Sequence, residues 1–262
     1  MKKWNAKRGG HGEGMRRTGW SAAWMWCALA VLTLWAPLSG FGDSYTNLHI
    51  FNLDEGDGLM PYGSLTRDGD TLYGMTVYGS VSNKGVVFRM DVNGQNYTIL
   101  HTFFGDKNDG GRPYGNLTQA GNILYGMTSL GGVSNGGVVF RMDTNGLSYT
   151  NLYSFVGGTN SGYAPHGSLT WDGGYLYGMT CSGGQYNAGV VFRVDTNGLG
   201  YTNLCAFHGG AISGKGPHGS LLLRGGALYG MTSSGGQEDL GVVFCVDANG
   251  LEGLDADTRV VL

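Results

Sequence analysis

Hydrophobic residues occur in short runs along most of the chain, and glycine or asparagine separates each run from the next. In residues 113–155 the runs are GNLT, ILYGMT, GVVFRMD and YTNLYSF, separated by QAGN, SLGGVSNG and TNGLS. Runs of this length, rich in aromatic and β-branched residues and bounded by turn residues, predict four antiparallel strands. The Asn-Gly pair before the last run is a strong hairpin signal, because both positions tolerate positive φ.

The same passage occurs four times at a constant interval of 52 residues. LYGMT begins at Leu72, Leu124, Leu176 and Leu228. The GVVF strand carries apolar side chains on both faces, which is typical of a sheet that is covered on both sides. Four-stranded units of this length, each packed between its neighbours, are typical of propeller blades. The sequence therefore predicts an all-β protein, a β-propeller of four four-stranded antiparallel blades.

The two ends of the repeat array predict how the ring closes. YTNLHIF at residues 45–51 reads as a fourth strand that no blade precedes. The last repeat lacks its fourth strand, because GLDADTR stands where YTNL would recur. We therefore expect the N-terminal strand to complete the fourth blade, which would remove both exposed sheet edges. The alternative is that the chain forms half of a larger propeller.

The first 42 residues differ in kind from the repeats. Basic residues precede an uncharged apolar stretch, Trp20 to Ala36, and Pro37 and small residues follow it. This order is typical of a secretory signal peptide, and the stretch is also just long enough for an N-terminal membrane anchor. The predicted domains are a leader at residues 1–42, the propeller at 43–252 and a C-terminal tail at 253–262. We expect the protein outside the cytoplasm, attached to a membrane only if the leader is uncleaved.

Net charge limits the kinds of molecule that the protein can be expected to bind, and the cysteine count bears on disulfides. The leader holds six of the 16 Lys and Arg and one of the 19 Asp and Glu, so residues 43–262 carry 10 positive and 18 negative charges, a net −8. This charge argues against nucleic acid, whose binding depends on cationic side chains. Three cysteines remain beyond the leader at non-equivalent repeat positions, and we expect free thiols. The sequence contains no H-E-x-x-H or Cys-x-x-Cys signature. We expect no cofactor and a monomer.

The repeated passage resembles the GloVer (Gloeo/Verruco) tandem repeat of bacterial extracellular proteins. The resemblance covers about residues 45 to 252, and the matching residues of the first repeat are Leu72, Tyr73, Gly74, Thr76, Gly85, Val87, Phe88, Gly94 and Leu100. It implies export to the outside of a bacterial cell and no established activity.

The longer, variable loops supply the candidate binding residues. Antiparallel connectivity places the fourth-to-first and second-to-third strand connections on one face of the propeller, and binding groups concentrate on such loops. Each fourth-to-first loop ends in Pro-x-Gly near the predicted channel mouth. The middle residues are the ligand-binding candidates Tyr62, Tyr114, His166 and His218. Two tyrosines facing two histidines around one axis would suit stacking on a sugar; the alternative is that they cap the blade ends. Without a nearby carboxylate the two histidines are a poor metal set.

A second cluster depends on closure of the ring. If the N-terminal strand joins the last blade, five carboxylates share one rim: Asp54, Glu55, Asp57, Glu238 and Asp239. Oxygen-rich loops suit Ca²⁺, but DEGDG lacks the alternating spacing of a calcium loop. We therefore interpret the group as a solvated acidic rim and predict no metal there.

Near identity of the repeats favours an exported, non-catalytic binding or scaffold module for glycan or protein at the cell surface. The alternative is a glycan-cleaving hydrolase or lyase, which requires two carboxylates held about 5–9.5 Å apart. Its candidate acids are the rim group together with Asp106 and Asp109, all in Gly-rich loops. We assign no catalytic residue.

Overall fold

The computed structural model describes residues 45–53 and 56–250. The described repeats belong to one compact unit that begins at residue 47. The predicted leader and the predicted C-terminal tail lie outside the described residues. Within the described ranges every regular element is a β-strand. No helix there is long and apolar enough to cross a membrane.

The first two repeats each form a four-stranded antiparallel sheet and a two-stranded ladder. In repeat one the elements are β1 (Gly58–Leu59), β2 (Thr66–Asp68), β3 (Thr71–Thr76), β4 (Tyr78–Gly79), β5 (Val86–Asp91) and β6 (Thr98–Thr102). In repeat two they are β7 (Gly110–Gly111), β8 (Thr118–Ala120), β9 (Ile123–Thr128), β10 (Leu130–Gly131), β11 (Val138–Asp143) and β12 (Thr150–Ser154). Sheet 1 has the order β2-β3-β5-β6 and sheet 2 the order β8-β9-β11-β12, while β1 pairs with β4 and β7 with β10.

Repeats three and four form sheets 3 and 4. Sheet 3 has five strands, β13 (Gly162–Pro165), β14 (Thr170–Trp171), β15 (Tyr175–Gly183), β16 (Val190–Asp195) and β17 (Thr202–Ala206). Sheet 4 has three described strands, β18 (Gly214–Arg224), β19 (Ala227–Gly235) and β20 (Val243–Asp247). The predicted strands ILYGMT, GVVFRMD and YTNLYSF thus match β9, β11 and β12 to within one residue at each end. The first predicted strand, GNLT, overlaps β8 only at Thr118, because β8 runs into the predicted QAGN turn. The four sheets have the sequential antiparallel order of propeller blades.

The glycine in the middle of each LYGMT strand makes room for an aromatic ring. Gly126 pairs with Phe140 across β9 and β11. A Cβ at Gly126 would lie 2.4 Å from the Cζ atom of that phenylalanine. The close neighbour is the ring of the residue directly opposite.

The hydrophobic core lies between consecutive sheets. Between sheets 2 and 3, Tyr125, Met127 and Val139 pack in one buried cluster with Leu176 and Phe192. Equivalent clusters lie between sheets 1 and 2 and between sheets 3 and 4. Sheets 2 and 3 are therefore covered on both faces, as their apolar patterns predict.

Closure of the ring is not confirmed. Among the described residues β20 pairs with β19 alone, and residues 45–53 contain no strand. Instead His49 stacks on Tyr97, and Phe51 packs edge-on against Phe88 of sheet 1.

Contacts among the innermost glycines stop at the fourth repeat. A Cβ at Gly63, Gly115 or Gly167 would collide with the carbonyl oxygen of the glycine 52 residues on, whereas one at Gly219 would meet nothing within 4 Å.

Candidate functional site

The four Pro-x-Gly residues predicted as ligand-binding lie together in one cleft. The cleft has a volume of about 410 Å³. Four equivalent tripeptides line it, residues 62–64, 114–116, 166–168 and 218–220. We call it the aromatic cleft, since each tripeptide begins with a tyrosine or histidine and continues with glycine and a small polar residue. The sequence thus identified every ring in this cleft.

The four rings form a row in chain order. Ring centroids are 5.6 Å apart between Tyr62 and Tyr114, 4.5 Å between Tyr114 and His166, and 5.4 Å between His166 and His218. Each ring thus contacts the next one along the series, and the arrangement of tyrosines facing histidines across one axis stays a prediction. Tyr62 and His218 at the two ends are the exposed members, and the two central rings are half-buried. The row is a continuous ridge of aromatic and imidazole surface.

Hydrogen bonds between successive repeats fix the floor of the aromatic cleft. The Asn116 amide donates to the Ser168 hydroxyl at 2.7 Å, and the Ser168 amide donates to the Ser220 hydroxyl at 3.3 Å. Two residues after Ser168, at the start of β14, the Thr170 hydroxyl donates to the Leu221 carbonyl at 2.6 Å. The bonds recur at the 52-residue interval, so they join each of the first three tripeptides to the next one along the series.

The aromatic cleft contains no carboxylate, so its electrostatics depend on the two histidines. Burial, and secondarily the neighbouring His218, lower the pKa of His166. The imidazole of His166 is therefore neutral near pH 7, because its ordinary pKa is already about 6.5. A neutral, half-buried imidazole can accept a hydrogen bond or bind a metal ion through a ring nitrogen.

Sequence analysis missed one residue of this region, Cys181 of β15. Its Sγ lies 3.7 Å from Nδ1 of His218 and 3.6 Å from the Pro217 carbonyl oxygen. Among the described cysteines all are free thiols, and burial raises the pKa of Cys181 to about 12. The signal was present in the repeats, since Val77, Ser129 and Ser233 occupy the equivalent positions. The only thiol at this position stands in the repeat that carries His166.

The structure describes three of the five carboxylates of the predicted acidic rim, and the rim stays a prediction. Asp54 and Glu55 lie outside the described residues. The Asp57 carboxylate accepts three hydrogen bonds. The Tyr97 hydroxyl donates at 2.8 Å, and the backbone amides of Asn52 and Gly58 donate at 3.0 and 2.7 Å. Asp239 accepts from the Gly235 amide at 2.6 Å and so closes its own loop. Within the described residues Asp57, Glu238 and Asp239 form no group of metal-binding size.

Asp109, a candidate acid for the enzyme alternative, is a structural residue. It is buried, and one carboxylate oxygen lies 3.0 Å from Nε2 of His101. The Phe104 and Gly110 amides each donate to it at 2.7 Å. Burial alone would raise the pKa of Asp109, but the bonds from His101 and the two amides outweigh it, so the pKa is lower than usual. His101 in turn stacks on Tyr149 with centroids 3.9 Å apart. This carboxylate fastens one repeat to the next.

The fold and the aromatic cleft define the class: an all-β tandem-repeat protein whose repeats jointly line one cleft. Two overlapping stretches, residues 37–174 and 104–254, match the Gloeobacter/Verrucomicrobia repeat. The chain therefore belongs to the Gloeobacter/Verrucomicrobia repeat family, as its resemblance implies. No curated protein matches the chain.

Solved structures show similarity at low sequence identity. The chain is similar to a chain of the nidogen/laminin complex, with 15% identity and a TM-score of 0.46, covering 72% of this chain and 61% of that one. TolB from Acinetobacter baumannii gives 14% identity and a TM-score of 0.46, with 75% and 42% covered. A puromycin-hydrolyzing peptidase from Mycobacterium tuberculosis gives 15% identity and a TM-score of 0.45, with 74% and 28% covered. The chain spans less than two thirds of each of these relatives.

Proposed function

We propose that the protein is an exported, non-catalytic binding module that holds a glycan in the aromatic cleft. The observation that carries the proposal is the convergence of Tyr62, Tyr114, His166 and His218 into one row. Ligand sites combine apolar and aromatic surface with a few placed polar groups. Successive rings stand about one pyranose ring apart, so an extended sugar chain can lie along the ridge.

Polar groups beside the row support a hydroxyl-rich ligand. The Ser168 and Ser220 hydroxyls accept backbone hydrogen bonds, and a hydroxyl that accepts still carries a proton to donate. A sugar hydroxyl is a suitable acceptor. No carboxylate stands among the lining residues of the cleft, so a ligand without charge meets no anionic group there.

The described acids favour binding over glycan cleavage. Glycoside hydrolysis needs a pair of carboxylates flanking the bond, one of them free to exchange a proton. Asp109 is fully hydrogen-bonded and its pKa is lowered, so it is unsuited to act as a general acid. No carboxylate lines the aromatic cleft.

The proposed module is a four-bladed ring in which residues 45–51 complete sheet 4. In support, the N-terminal segment meets sheet 1 as β6 meets sheet 2. A Cβ at Gly94 would touch Leu48, and one at Gly146 would touch the equivalent Leu100. His49 stacks on Tyr97 just as His101 stacks on Tyr149. The segment thus occupies the position of a preceding blade's fourth strand, the strand that sheet 4 lacks.

A glycan array with the purified protein tests the binding proposal. The double variant Tyr62→Ala/Tyr114→Ala should lose at least about tenfold in affinity, because each aromatic contact contributes about 0.5–1.5 kcal/mol beyond area burial. Tyr186→Ala is the matched control, since Tyr186 is an exposed loop tyrosine outside the aromatic cleft. Release of reducing ends from a bound glycan would establish an enzyme, and unchanged binding by the double variant would place the ligand elsewhere.

Mass in solution and cell fractionation test the remaining parts. A closed ring predicts the mass of one chain by light scattering, and two chains would indicate paired half-rings. Export predicts that the protein appears outside the cytoplasm of a bacterial host, and that deletion of residues 1–42 retains it inside. A cytoplasmic location of the full chain would contradict the proposal.

A further inference from the structure

We propose that His166, Cys181 and His218 bind a divalent transition-metal ion of the zinc class at one end of the aromatic cleft. These residues form the one group of three or more metal-ligating side chains within the part of the chain that the structure describes. Two of them belong to repeat three and one to repeat four. The site therefore lies across the junction between two sheets.

The distances suit a metal centre. One ligand atom from each residue lies within 4.8 Å of the other two. Cys181 Sγ is already 3.7 Å from Nδ1 and 3.9 Å from Nε2 of His218. Tetrahedral zinc, with bonds of about 2.0–2.3 Å, holds its ligand atoms roughly 3.3–3.8 Å apart. A movement of about 1 Å completes the set, and the exposed His218 ring is free to make it.

The donor types select the class of metal. Imidazole nitrogen and thiolate sulfur prefer zinc, copper and related ions, whereas Ca²⁺ and Mg²⁺ prefer oxygen donors. Three protein ligands leave a fourth tetrahedral position for water or another ligand, as in open zinc sites. Because His218 is the exposed end of the row, that fourth position lies at the cleft's surface.

The repeats argue that this combination is more than a consequence of the fold. At the histidine positions, repeats one and two carry Tyr62 and Tyr114, and at the cysteine position the other repeats carry Val77, Ser129 and Ser233. Departures from the repeat at two different positions thus meet at a single junction. If these positions served packing alone, tyrosine and serine would suffice, because other repeats of the same chain carry them at the equivalent positions.

Cobalt titration of the metal-free, reduced full-length protein tests the proposal. Bound Co²⁺ should give a thiolate-to-cobalt charge-transfer band at one equivalent per chain, and Zn²⁺ should displace it. Cys181→Ser should abolish the band. His166→Tyr and His218→Tyr should each weaken binding by at least about tenfold, since even indirect perturbation of a metal site costs 10–100-fold.

The chain provides its own controls for folding. Each variant installs a residue that an equivalent repeat position already carries, so circular dichroism should be unchanged. Cys205→Ser removes another half-buried thiol, outside the site, and should retain the band. If a variant fails to fold, a second measurement uses the wild-type protein. Bound Zn²⁺ should slow the alkylation of Cys181 in it. No band in wild type, a band that survives Cys181→Ser, or alkylation indifferent to Zn²⁺ would each overturn the proposal.

The metal proposal does not depend on the glycan proposal. Tyr62→Ala should leave the cobalt band intact, because Tyr62 packs on Tyr114, and Tyr114 lies between it and His166 in the row. Cys181→Ser should leave glycan binding intact without added metal, because the thiol is absent from the cleft lining. Failure of one result therefore leaves the other standing.

Discussion

Sheets 3 and 4 share the LYGMT strand and its pairing register with the following strand, yet one face of the two sheets differs strongly in burial. In sheet 3, Tyr177, Met179 and Val191 are 2%, 3% and 0% exposed. The equivalents in sheet 4 are 41%, 62% and 64% exposed, and they are Tyr229, Met231 and Val243. Met179 pairs with Val191 and Met231 with Val243, so strand pairing is identical.

The difference shows that strand formation and burial have separate causes in a repeat protein. Turn residues and local pairing suffice to form sheet 4, since its hairpin β19–β20 matches that of sheet 3. Burial of the outer face depends on a following sheet, which sheet 3 has and sheet 4 lacks among the described residues. In quasi-one-dimensional arrays each repeat is stabilised by its neighbours as well as by itself.

The largest expected effect is on the free energy of unfolding when the equivalent methionines of sheets 3 and 4, Met179 and Met231, are each replaced by alanine. Met179→Ala should lower the free energy of unfolding by about 2–5 kcal/mol, because it removes a buried side chain from a packed core. With the proposed ring closure, Met231→Ala should approach the same loss, although its side chain is exposed in the open arrangement. Chemical denaturation of both variants measures the two values.

The two values together show whether the outer face of sheet 4 is covered in solution. A loss at Met231 below about 0.5 kcal/mol, the usual range for surface substitutions, would mean that its face is open in solution. The closure proposal would then be wrong, whatever the loss at Met179.

An intermediate effect is expected where sheets 1 and 2 join. Asp109→Asn should cost about 1–3 kcal/mol at neutral pH, because it weakens a buried set of hydrogen bonds to His101, Phe104 and Gly110. The folded pKa of Asp109 is lowered, so its stabilisation is present above the unfolded pKa of about 3.9 and is lost as pH falls toward the folded value. Urea denaturation across the acid range should show a smaller pH-dependent loss in Asp109→Asn than in wild type.

The control for this junction is Asp106→Asn, because Asp106 caps an exposed turn through the Asn108 amide. Its pH profile should follow that of wild type. Identical profiles for Asp109→Asn and wild type would show that the carboxylate does not fasten the two repeats. At the next junction, Tyr153 and Ser161 form a neutral bond of 3.1 Å in the equivalent place, so no acid sensitivity is expected there.

The smallest expected effect concerns a single hydroxyl between sheets. Thr170→Val should cost about 0.5–1.5 kcal/mol, because its hydroxyl donates to the Leu221 carbonyl of sheet 4. Thr170→Ser, which retains the hydroxyl, should recover most of the loss. Thermal unfolding of the two variants measures it, and equal stability of Val and Ser variants would mean the bond contributes nothing.

Elements within one repeat could be predicted from the sequence because their causes are local. Three of the strands of the second repeat follow from apolar runs bounded by turn residues. The Asn-Gly turn also forms, with the Gly146 amide donating to the Asp143 carbonyl at 2.9 Å, but Gly146 alone of the pair has a positive φ. The aromatic cleft was also predictable, because Pro-x-Gly repeats at one interval and equivalent positions must lie near one another in stacked sheets.

Contacts between repeats were harder to predict because they join residues far apart in the chain. Cys181 lies beside His218, 37 positions on, and each residue looks unremarkable alone. Asp109 looked like an available acid until its burial and its partners were known. The acidic rim depended on a closure that the described residues do not show. Each of these cases requires the relative placement of two sheets, which short-range periodicity does not contain.

Among the described residues the outer edge of β20 has no partner strand, which has a practical consequence if the ring stays open in solution. An unpaired strand exposes backbone donors and acceptors that another chain can join, and contacts that do not close on themselves generate fibres. Protein concentration thereby becomes an experimental variable in its own right. Refolding at high dilution, followed by slow concentration, should yield discrete particles where rapid concentration yields filaments.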